Sequence, residues 1–110
     1  MVLNSILCSQ EAEKVLMFIT VRERGYAYEI AKFYKTNLRG IQKQLQRLEY
    51  DGVLSSKKVG RTRVFTFDPR YLFLEEVKQL LNKALEYYPP QLREDLIYRR
   101  ERPRRTGKPL

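Results

Sequence analysis

Between Thr36 and Phe67 the chain reads TNLRGIQKQLQRLEYDGVLSSKKVGRTRVFTF. Leu38, Ile41, Leu45 and Leu48 recur at spacings of three, four and three, which predicts one apolar stripe of an α-helix. At roughly 100° per residue, Arg39, Gln42, Lys43 and Gln46 fall well away from that stripe. Such a helix, spanning about 37–51, has a seam for a core and a second face of cations and amides. Asn37 suits its N-cap and Gly52 the residue just past its end. The following residues, about 53–67, alternate as two strands around a turn at Gly60-Arg61, and the hairpin carries Lys57, Lys58, Arg61 and Arg63.

A helix presenting Arg, Gln and Lys followed at once by a basic hairpin is the layout of a winged helix-turn-helix. The segment resembles the DNA-binding domains of small regulators related to the ArsR and MarR families. Their pattern is a small residue in the second helix, a short turn, then S-x-x-x-V-S-x-x-L-x-x-L-E-x-x-G-L-V. Ala31 supplies the small residue, Asn37 takes the Ser position, and Ile41, Leu45, Leu48, Glu49, Gly52, Val53 and Leu54 follow in register. The resemblance covers about residues 9–70. Lys35 departs from it, standing where glycine is usual and implying a left-handed residue at a cost of roughly 1 kcal/mol. Thr36 departs too, replacing an apolar turn residue.

Upstream, Ser9 reads as an N-cap with Glu11 and Glu13 in the first turn, where a helix dipole favours carboxylates. This first helix is expected to bury Ala12, Val15, Leu16 and Ile19, run to about Arg24 and be stopped by Gly25. Leu3, Ile6 and Leu7 form an apolar arm before it, and Tyr26 to Tyr34 read as the second helix. Downstream, residues 73–88 read as the longest helix, its apolar stripe wider than one face needs. That surplus suits either a single-chain core or a homodimer formed through this helix and the N-terminal region, as regulators of this kind commonly form. Pro89-Pro90 breaks it, and Leu92, Leu96 and Ile97 mark a shorter amphipathic segment. The expected fold class is mainly α with a small β-hairpin (α+β), a winged helix-turn-helix with extra C-terminal helices. It divides into a winged domain with its arm (1–71), C-terminal helices (72–98) and a basic extended tail (99–110).

Composition bounds the chemistry. With 110 residues the chain has room for one modest core. It holds one cysteine and no histidine, which excludes an intrachain disulfide, a Cys/His zinc cluster and a catalytic histidine. Cys8 reads as a buried structural thiol, a metal- or redox-sensing role in a dimer being the other reading. No cofactor is expected, and nothing marks an enzyme: no glycine-rich phosphate loop, no nucleophile paired with a base. No apolar run is long enough for a membrane span, and the cytoplasm is the expected compartment.

Lys and Arg number 22 against 13 acids, a net charge of +9, which favours a polyanion as partner. Residues 99–110 alone carry +5, with Arg102, Arg104 and Arg105 set among Pro103, Gly107 and Pro109. The favoured reading is a sequence-specific regulator of transcription that binds double-stranded DNA, repression by occlusion being the simplest outcome. Its contact residues are then Asn37, Arg39, Gln42, Lys43, Gln46 and Arg47 on the helix, Lys57, Lys58, Arg61 and Arg63 on the hairpin, and Arg102, Arg104 and Arg105 on the tail. Competing readings are a nucleoid-associated or RNA-binding winged helix that senses charge and shape, and a protein-interaction adaptor. Each cation also suits an ordinary solvated face.

Overall fold

The computed structural model describes residues 1–101, with side chains to residue 97. Six helices and one hairpin follow in the order α1 (Asn4–Leu7), α2 (Gln10–Arg22), α3 (Ala27–Tyr34), α4 (Leu38–Tyr50), β1 (Leu54–Val59), β2 (Thr62–Phe67), α5 (Leu74–Leu85) and α6 (Pro90–Glu101). The architecture is mainly helical with a two-stranded antiparallel wing, as the periodicities predict.

Helix α2 is the hub, packing against α3, α4, α5 and α6. Its residues Val15, Met17, Phe18 and Ile19 are fully buried because neighbours cover more than one of its faces. Ile41 and Leu45 of α4 meet the same core, each contributing about 1.5–3 kcal/mol by burial. Leu38, placed in the same stripe by spacing, stays 38% exposed because it opens the helix, one turn short of the core.

Helix ends follow local chemistry. The Ser9 hydroxyl accepts the Ala12 N–H, and the Asn37 side chain accepts the N–H groups of Arg39 and Gly40. Helix α2 stops two residues early, at Arg22, with Glu23 in the left-handed region at φ 73°. Gly25 is therefore not its stop. Instead it pairs with Phe65 through two backbone bonds, Gly25 N–H to Phe65 O at 3.0 Å and Phe65 N–H to Gly25 O at 2.8 Å. A Cβ there would lie 3.0 Å from the Phe18 ring, so close approach explains the glycine. Lys35 does adopt the left-handed conformation, at φ 56°. Lys35→Gly should therefore add about 0.5–1 kcal/mol of stability, after the entropy glycine loses on folding. A melting temperature unchanged or lowered would mean that the turn carries no strain.

Three further expectations are corrected. The helix predicted over 73–88 spans only Leu74–Leu85, shorter than α2 and α4, because Tyr88 turns away to be buried. Cys8 is exposed rather than buried, since α1 is a single turn that ends on it at φ 57°. Glu13 stands in the first turn of α2 as expected, and there it is fully buried, accepting the Leu3 N–H at 2.9 Å and the Tyr88 hydroxyl at 2.6 Å. The C-terminal helix also runs to Glu101, so residues 99–101 are helical and not part of an extended arm.

The wing closes on Asp68, whose carboxylate accepts the Arg70 backbone N–H at 2.9 Å and faces its guanidinium. The first of these bonds, then the second, holds that carboxyl below its ordinary range.

Candidate nucleic-acid interface

Helix α4 is set across α2 and α3 by Ile41, Leu45 and Leu48, all buried. That anchoring turns Arg39, Gln42, Lys43, Gln46 and Arg47 outward, and all five are exposed. They are not equally free. Arg47 donates from Nε and Nη2 to the Gln44 Oε1 at 3.1 and 2.9 Å, with Asp51 at 3.9 Å. Asn37 spends its side-chain oxygen on the helix cap, leaving its amide nitrogen outside those bonds.

In the wing, Leu54 faces Phe67, Ser56 faces Phe65 and Lys58 faces Arg63; Lys57 faces Val64 on the opposite side. Gly60, at φ 64°, makes the turn that brings Arg61 to the tip. Arg63 donates to the Ser56 hydroxyl oxygen at 3.0 Å, and Ser56 donates in turn to the Glu49 carboxylate at 2.7 Å. This chain of bonds ties the hairpin to α4 and fixes their spacing. It also makes Arg63 partly a structural residue. Lys57, Lys58 and Arg61 are exposed. Lys57 shares the wing's outer face with Arg24, in a shallow cleft of about 200 Å³.

Between α4 and the wing runs a groove of about 650 Å³. Gln42, Gln46 and Glu49 form one wall, Arg61 and Arg63 the other, and Leu45 and Phe65 lie in its floor. Tyr26 and Tyr28 close the end, Tyr28 being 60% exposed. Sequence reasoning placed neither tyrosine here, nor Arg24 beside the wing, since both placements follow from the Gly25–Phe65 pairing across forty residues. Arg102, Arg104 and Arg105 lie outside the described residues. Among the described residues no three His, Cys, Asp or Glu side chains converge as a metal site. None of the described helices is long and apolar enough to cross a membrane.

No family model matches this chain, and no curated protein matches it. Among solved structures, the adhesin competence repressor (AdcR) from Streptococcus pyogenes aligns over 86% of this chain and 83% of that one, at 15% identity and a TM-score of 0.49. At that level no residue's role passes from one chain to the other. The architecture itself is that of a winged helix-turn-helix carrying two further helices.

Proposed function

We propose that this protein is a sequence-specific regulator of transcription that binds double-stranded DNA as a homodimer. The observation that carries the reading is the exposed Arg39, Gln42, Lys43 and Gln46 face of a helix whose other face is buried, held beside a cationic hairpin. An α-helix fits the major groove of B-DNA, where Arg pairs with guanine and Gln with adenine edges. Arg39 and Gln42, nearest the N-terminus of α4, read bases; Lys43 and Gln46 meet bases or phosphates. Lys57, Lys58 and Arg61 approach the flanking backbone or minor groove. Arg47, already engaged by Gln44, is a secondary phosphate contact.

The dimer reading is supported by exposed apolar side chains on α5 and just beyond its two ends. Leu74, Val77, Leu81 and Ala84 face the core, whereas Phe73, Leu80 and Tyr87, seven residues apart, are 53%, 39% and 67% exposed. Leu80 on α5, flanked by Phe73 and Tyr87 at the helix ends, offers apolar surface to a second copy of the chain, and the arm residue Ile6 is exposed as well.

Selection of bound duplexes from a random pool, with the solution mass of the free chain, tests both parts. The expected result is a palindromic consensus and the mass of two chains. The specific duplex should bind about a thousandfold or more tighter than bulk DNA. A pool that yields no consensus, every duplex being held alike, would replace this reading with a charge- and shape-sensing one.

A further inference from the structure

The groove between α4 and the wing calls for an occupant of its own. In B-DNA the major groove, about 12 Å wide, and the minor groove, about 6 Å wide, are divided by a single sugar–phosphate strand. A protein with its helix in one and its hairpin over the other must pass that strand between the two elements. We infer that the groove seats this strand, with Tyr28 and Arg61 as its phosphate contacts; the inference rests on the duplex-binding reading above.

The lining fits a sugar–phosphate chain in three respects. Arg61, at the hairpin turn, supplies the positive charge, and Lys32, in the neighbouring cleft that shares Tyr26 and Tyr28, has its Nζ 6.0 Å from the Tyr28 ring centre. The Tyr28 and Tyr26 hydroxyls, with the amide of Gln46, are uncharged donors suited to phosphate oxygens. The floor, Leu45 and Phe65, is apolar and buried, matching the non-polar face of a deoxyribose rather than a second charged group. Glu49 has the wrong sign for a phosphate, but its carboxylate is engaged by Ser56, whose oxygen takes the Arg63 guanidinium. That arrangement offsets the charge of Glu49 and ends the cationic path at its side of the groove. An acidic peptide would use the same cations, but the groove is bounded by the two elements that meet adjacent grooves of a duplex, which favours the strand.

The test measures affinity of the full chain for its selected duplex and for a mixed-sequence duplex, over a range of salt. Tyr28→Phe should weaken both about 3- to 10-fold, with an unchanged salt slope because no charge is removed. Arg61→Ala should weaken both and lower the slope by about one. The ratio between the two duplexes should hold in both variants. Phosphate ethylation should interfere along one short run between the helix-contacted and wing-contacted positions, and Tyr28→Phe should lose one phosphate from it. Both residues are exposed, and matching thermal melts show that the variants fold. Wild-type affinity in both variants, alongside a lost preference in Arg39→Ala, overturns the groove assignment while leaving the regulator intact. So does an acidic peptide that occupies the groove while duplex stays bound. A chain that binds no duplex at low salt overturns both readings together.

Discussion

Glu13→Ala should remove about 3 kcal/mol or more of folding stability, read from denaturant unfolding, in a chain of a size that commonly has about 5–15 kcal/mol in all. Glu13 is fully buried and joins three segments distant in sequence. It takes the backbone N–H of Leu3 from the arm and the hydroxyl of Tyr88 from beyond α5. Truncation leaves both donors buried without an acceptor, each at about 1–3 kcal/mol, and empties a space in the core. Burial first, then the bond to Glu13, pushes the Tyr88 hydroxyl well above its ordinary value, so it stays protonated and donating wherever the fold persists. Tyr88→Phe takes one donor from a buried carboxylate and should cost about 1–3 kcal/mol by itself. The two substitutions share one bond, so together they should cost about 1 kcal/mol or more less than the sum of their separate effects. Tyr34 is the contrast. Its hydroxyl is buried with no hydrogen-bond partner among the described residues, and Tyr34→Phe should be neutral or stabilising. Glu13→Ala within about 0.5 kcal/mol of wild type would mean that water reaches the carboxylate.

The contrast between Glu13 and Asn37 shows which parts of this molecule its sequence announces. Asn37 caps α4 through bonds to residues two and three positions away, and Leu45 and Leu48 are placed by helical period alone. These are local instructions, and the α4–wing unit was legible because it is built from them. Glu13 obeys the same local rule as any first-turn carboxylate, yet its partners lie ten and seventy-five residues away. Nothing near it in the chain marks the difference. The groove is of the second kind. Its cationic wall was legible as a charged hairpin, but Tyr26 and Tyr28 reach it only because Gly25 pairs with Phe65. Gly25 was read as a helix stop because chain-local reasoning sees its missing side chain and not the Phe18 ring against it. Charge was legible as composition but not as availability. Arg47 and Arg63 count equally with Arg39 and Arg61 in the sequence, and the structure ties the first two to Gln44 and Ser56.

That difference in availability sets the second large effect. Arg39→Ala and Gln42→Ala should each remove about 1–3 kcal/mol of discrimination between the selected duplex and a mixed one, the worth of a bidentate base contact. Together they should narrow a thousandfold preference to about thirtyfold or less, while binding to mixed DNA falls only as far as one lost cation requires. Lys57→Ala and Lys58→Ala should do the opposite, weakening both duplexes alike and lowering the salt slope by about one each. Arg47→Ala lies on the same exposed face as Arg39 but already donates twice to Gln44, so its effect on preference should be the smaller. The comparison is sharp because Arg39, Arg47 and Lys58 are all exposed cations and differ in position and prior engagement rather than in charge. A preference that survives loss of Arg39 and Gln42 but shifts on loss of Lys58 would move base reading from α4 to the wing. Equal losses from Arg39→Ala and Arg47→Ala on every duplex would instead make α4 a phosphate-binding element, in which the direction of a side chain matters less than its charge.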